Sequence, residues 1–90
     1  MREIDELITR LEIVRDAVWA KNNEQAFEAV TEFLLSFLDA YGHSKDFMSQ
    51  MFPHLEHMKD LIQSEDFDEA NLAILATLAW LRQVREQLGK

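Results

Sequence analysis

The chain has no cysteine, one proline, two glycines, and only 9 Lys and Arg against 17 Asp and Glu in its 90 residues. Without cysteine there is no disulfide framework, no thiolate nucleophile and no Cys-ligated zinc or iron–sulfur site. Redox chemistry therefore does not set the compartment. Gly42 and Gly89 stand far apart, so no glycine-rich loop can cradle a phosphate. The cations (Arg2, Arg10, Arg15, Lys21, Lys45, Lys59, Arg82, Arg85 and Lys90) fall singly, and no basic stripe offsets the net charge of −8. Polyanions and anionic bilayers repel such a chain, so neither nucleic acid nor membrane is expected as a partner. No apolar run approaches the roughly 18 residues of a membrane span. Met1-Arg2-Glu3-Ile4-Asp5-Glu6 lacks the basic and apolar regions of a signal peptide. A cytoplasmic location is the expectation.

What is present is enough apolar material for one core. At 48% hydrophobic, the chain is no disordered acidic tail. Its length sits just above the roughly 70–80 residues below which staples are usually needed. One domain over 1–90 follows.

The apolar positions recur at helical spacing. Ile4, Leu7, Ile8, Leu11, Val14 and Val18 form one stripe, ending at the turn-forming pair Asn22-Asn23. Asn23 reads as the N-cap of a second helix with the stripe Ala26/Phe27, Val30, Phe33/Leu34, Phe37/Leu38 and Tyr41, closed by Gly42. Ser44 then caps a third element striped by Met48, Met51, Phe52, Leu55, Met58, Leu61 and Ile62. Pro53 falls inside that stripe, which calls for a kinked helix or for a short turn over 45–51 before a helix starting near Pro53. The stripe keeps its phase across the proline, favouring one kinked element. The last helix begins at Asp66, with Glu69 in capping-box position, and runs along Ala70, Ala73/Ile74, Thr77/Leu78, Leu81, Val84 and Leu88.

A shift of 44 residues carries Ile4 onto Met48, Leu11 onto Leu55, Val18 onto Ile62, Asn22 onto Asp66, Ala26 onto Ala70 and Val30 onto Ile74. Either a hairpin was duplicated, or two amphipathic hairpins of equal length align. Both give an all-α fold of two helical hairpins, 1–42 and 44–90, packed as an antiparallel up-down-up-down four-helix bundle. In that topology both hairpin tips share one end. Glu24, Glu28, Asp60, Glu65, Asp66, Asp68 and Glu69 gather there against Lys21 and Lys59, while Arg2, Lys45, Arg82, Arg85 and Lys90 take the other end. Compensation of helix dipoles explains much of this pattern; electrostatic steering of a basic partner is the functional alternative.

Chemistry-bearing strings are few. His54-Leu55-Glu56-His57 spaces two imidazoles for one metal, with Glu56 or Asp60 as oxygen donors. The neighbouring stripe positions Leu55 and Met58 turn both histidines to the stripe's edge, which suits a boundary pair better than a metal centre. Phosphotransfer from histidine is the other reading. The lysine at +3 and glycine at +4 typical of histidine phosphotransfer domains are absent after both residues. Glu65-Asp66-Phe67-Asp68-Glu69 starts like a calcium loop, but Ala70 and Asn71 replace the next ligand and the glycine. No cofactor, metal or catalytic residue is expected.

One feature exceeds what a bundle core needs. Leu72, Leu75, Ala76, Ala79 and Trp80 lie off the inward stripe of the last helix, where an edge helix should be polar. Leu35 and Ala40 widen the second helix likewise, and Ile13 and Trp19 the first. The expected function is a small acidic, non-enzymatic protein–protein interaction module, such as an adaptor, a chaperone or an inhibitor or antitoxin-type binder. Leu72, Leu75, Ala79, Trp80 and Trp19 would bind the partner, most simply a second copy. Glu24, Glu28, Glu65, Asp66, Asp68 and Glu69 would steer a basic one. The alternative is a metal-binding or phosphotransfer bundle built on His54 and His57.

Overall fold

The computed structural model describes residues 3–88. They form four α-helices and no strands: α1 (Glu3–Trp19), α2 (Asn23–Tyr41), α3 (Lys45–Gln63) and α4 (Phe67–Leu88). Each helix packs against its neighbour in the chain, and α1 also packs against α4, closing a ring of contacts consistent with a bundle. The long dimension of 37 Å fits helices laid along it, since α4 with its 22 residues is about 33 Å long at about 1.5 Å per residue. All four helices feed one core, with Leu11, Val14, Phe33, Met51, Met58, Ile62, Ile74 and Leu78 essentially inaccessible. Thr77 is the one polar side chain fully buried among the described residues.

The turns after α1 and after α3 are built alike. Lys21 and Glu65 take left-handed backbone angles, φ 56° and 60°. Around the first, Lys21 N–H donates to the Val18 carbonyl and Asn22 N–H to Ala17. Around the second, Glu65 N–H donates to Ile62 and Asp66 N–H to Leu61. This paired bonding satisfies the carbonyls that a helix end leaves free. In both turns the following side chain caps the next helix: Asn22 Oδ1 accepts from Gln25 N–H at 3.1 Å and Asp66 Oδ1 from Glu69 N–H at 3.4 Å. The 44-residue correspondence thus extends to backbone geometry. It also moves the first cap by one position. Asn22 is the cap, because its extended backbone aims the side chain back at Gln25, whereas Asn23 is already helical.

A left-handed conformation costs an ordinary side chain about 1–2 kcal/mol, partly offset in a glycine variant by the freer unfolded chain. Lys21→Gly and Glu65→Gly should therefore each raise stability by roughly 0.5–1 kcal/mol, read from urea midpoints. Destabilisation by either substitution would show that its left-handed residue is held there by side-chain contacts worth more than the backbone strain.

Ser44 caps α3 as its position in the sequence implies, accepting the Phe47 N–H at 3.3 Å. A single helix then passes through Pro53 from Lys45 to Gln63, and no separate turn forms over 45–51. Three stripe residues depart from the core. Phe52 is 50% exposed, Leu38 41% and Leu88 55%. The 44-residue shift also carries Ile8 onto Phe52, and burial differs there, Ile8 being buried, because α1 packs between two helices more extensively than α3 does.

Candidate functional site

The outer side of α4 is uncharged over about three turns. No charged residue occurs from Ala70 to Leu81, and within that run Leu72, Leu75, Ala76 and Ala79 are exposed. Their spacing of three and four puts them on one helix face, opposite the buried Ala70, Ile74, Thr77, Leu78 and Leu81. Trp19, 69% exposed at the end of α1, shares a groove with Leu72 of this face. Trp19, Val18, Phe67 and Leu72 wall a groove of about 280 Å³, with Lys21, Asp68 and Asn71 as its polar edge. The groove brings together residues from both tips of the chain, Lys21 and Asp68.

Trp80 has a different place. It is half-buried against the core, with ring centroids 5.3 Å from Phe47 and 5.5 Å from His54. Tyr41 stacks on Phe47 at 4.6 Å. A row of aromatic rings thereby links the end of α2, α3 and α4. Burial pushes the Tyr41 hydroxyl above its usual pKa, with the carboxylates of Glu3 and Asp5 acting in the same direction.

His54 belongs to that row. Its ring is nearly parallel to Trp80, and Nδ1 lies 3.4 Å from Thr77 Oγ1. The Thr77 hydroxyl donates its only proton to the Ala73 carbonyl at 2.9 Å. It can then only accept from His54, which assigns the imidazole proton to Nδ1. His57, one turn further on, is exposed. Among the described residues no group of three or more His, Cys, Asp or Glu side chains is gathered to hold a metal ion. The two histidines are thus treated differently by the fold: one is packed and hydrogen-bonded, the other faces solvent.

The acids named for steering, Glu24, Glu28, Glu65, Asp66, Asp68 and Glu69, are all exposed. Among the described residues none of the six forms an ion pair. The pairs are Arg10 with Glu6 and Glu32, Arg15 with Glu12 and Asp16, and Arg85 with Asp5. Asp66 is engaged as the α4 cap. First-turn acids recur in every helix, as dipole compensation requires. Basic last turns do not, since only α4 has one, at Arg85. Of the cations expected at the opposite end, Arg2 and Lys90 lie outside the described residues.

A second groove went unrecognised in the sequence. Between α1 and α2, Ile13, Ala17 and Ala29 line a depression of about 340 Å³ together with Asp16, Glu28 and Glu32. The available signal was the spacing Glu24, Glu28, Glu32 along one side of α2, facing the apolar outlier Ile13.

Comparison of the chain with protein-family models, with characterised proteins and with solved structures finds no match. No helix of the described residues is long and apolar enough to cross a membrane.

Proposed function

We propose that this chain is a small, non-enzymatic protein–protein interaction module that self-associates through the outer face of α4. The observation carrying this reading is the uncharged face Leu72, Leu75, Ala76 and Ala79, continuous with exposed Trp19. A chain of charge −8 meets a second copy at least cost where its own charge is lowest, and this is that surface. Ala76 and Ala79 let a partner helix approach towards the short end of the roughly 8–10 Å interaxial range. Leu72, Leu75 and Trp19 then supply apolar area around them. Trp80 flanks the face, its ring packed on Phe47 and His54 of α3.

The reading includes an up-down-up-down topology, supported by Arg85 on Asp5 at 3.5 Å, Arg10 on Glu32 at 3.8 Å, and the pairs Phe47–Trp80 and His54–Thr77. It includes a bend of α3 at Pro53, where the missing N–H leaves the Ser49 carbonyl without its helical donor. It also gathers the unpaired acids of both tips at one end, where they steer a basic partner's approach and add on-rate more than affinity.

Sedimentation over a micromolar concentration series tests the core of the proposal. The native chain is expected to shift from monomer to dimer. Leu72→Asp combined with Leu75→Asp should weaken association by about 100-fold or more, since each buries an unpaired charge. Both sites are exposed, so circular dichroism and the urea midpoint should barely change. A native chain that stays monomeric throughout would overturn self-association.

A further inference from the structure

The α1–α2 groove lies away from the α4 face and differs from it in character. Its floor is Ile13, 53% exposed, with Ala17 and Ala29. Its rim is Asp16, Glu28 and Glu32, and neither Lys nor Arg lines it. Arg15 reaches Asp16 at 3.4 Å and Arg10 reaches Glu32 at 3.8 Å, while Glu28 has no ion-pair partner among the described residues. We infer that this groove docks a basic amphipathic helix of another protein, its apolar stripe on Ile13 and its Lys and Arg side chains on the carboxylate rim.

Three considerations select this occupant. Charge is the first: an apolar floor bordered by acids, of which Glu28 has no ion-pair partner among the described residues and Asp16 and Glu32 share theirs with Arg15 and Arg10, complements a stripe flanked by cations. Backbone chemistry is the second. Gln25 supplies the groove's only side-chain N–H donor, and the described residues form no strand edge, so an occupant must satisfy its C=O groups internally, as a helix does. The third concerns a second copy of this chain. With 17 acids against nine dispersed cations, it is a poor fit for an acidic groove. The inference does not rest on self-association, because the groove and the α4 face use different residues.

The test is fluorescence anisotropy with a labelled Leu/Ala/Lys peptide of about five helical turns, designed as an amphipathic helix, against a peptide of the same composition scrambled to abolish its apolar face. The amphipathic peptide should bind and gain helicity, and the scrambled one should bind at least tenfold more weakly. Ile13→Gln should weaken binding about tenfold. Glu28→Gln should weaken it about threefold, and should flatten the loss of affinity as salt rises from about 0.1 M to about 1 M. Both substitutions are at exposed sites and should leave the circular dichroism spectrum unchanged. The Leu72→Asp, Leu75→Asp variant should bind the peptide as the native chain does, whether or not the native chain dimerises. Equal binding of both peptides would overturn the inference, because it would reduce the contact to general charge attraction. So would full binding by Ile13→Gln together with loss in the α4-face variant, since the peptide would then sit on the other surface.

Discussion

Phe33→Ala should lower the stability of the fold by about 3–5 kcal/mol, while Leu35→Ala, two residues along the same helix, should change it by less than about 0.5 kcal/mol. Phe33 is completely inaccessible and among the largest buried side chains, whereas Leu35 is 61% exposed. Truncation at Phe33 removes most of a ring from water-free surroundings and leaves a cavity that facing helices can only partly close. Leu35 gives up little buried area. At about 0.05–0.15 kcal/mol per residue, a domain of this size holds roughly 5–13 kcal/mol in all, so the Phe33 loss takes a large share of it. Urea unfolding followed by circular dichroism measures both. A comparable loss at Leu35 would mean that the outer side of α2 is covered by another molecule in solution.

Pro53→Ala should stabilise the chain by about 2 kcal/mol, raising the melting temperature by roughly 10 °C. Pro53 lies inside the uninterrupted helix Lys45–Gln63 and is exposed, so no core contact depends on its ring. An interior proline costs a helix about 3 kcal/mol through its missing donor and its clash with the preceding turn. Its stiffening of the unfolded chain returns about 0.4–1 kcal/mol, leaving the net figure above. Thermal and urea unfolding should agree. A loss of stability instead would show that packing of α3 requires a bend that only proline supplies.

The same helix shows how far the pattern of residues could be read. Period and caps were legible. Met51, Leu55, Met58 and Ile62 are buried where their spacing puts them, and Ser44 caps α3 because its hydroxyl competes well for a free N–H. The cap of α2 falls at Asn22, one residue before the Asn23 that the sequence pattern implies. Two adjacent asparagines have equal local preferences, and only the left-handed turn at Lys21 decides which is extended. Phe52 and Leu38 continue their stripes by spacing, yet both are exposed, at 50% and 41%. A stripe fixes the direction of the core to within a residue or so. How far round the helix the cover extends depends on the neighbours.

For the candidate surfaces the division is sharper. That α4 carries an apolar, uncharged outer face is determined by Leu72, Leu75, Ala76 and Ala79 alone, since a helix that buries Ile74, Thr77 and Leu78 must turn those residues outward. The acidity, the absence of thiol chemistry and the four helical segments are equally properties of composition and period. Tertiary structure decided the rest. It joined Trp19 to Leu72, took Trp80 into a stack with Phe47 and His54, bonded His54 to Thr77, and set Ile13 between the acids of α1 and α2. The physical reason is common to all four. Local periodicity specifies which way a side chain leaves its own helix, while its companions come from a different helix, positioned only by how the whole core packs.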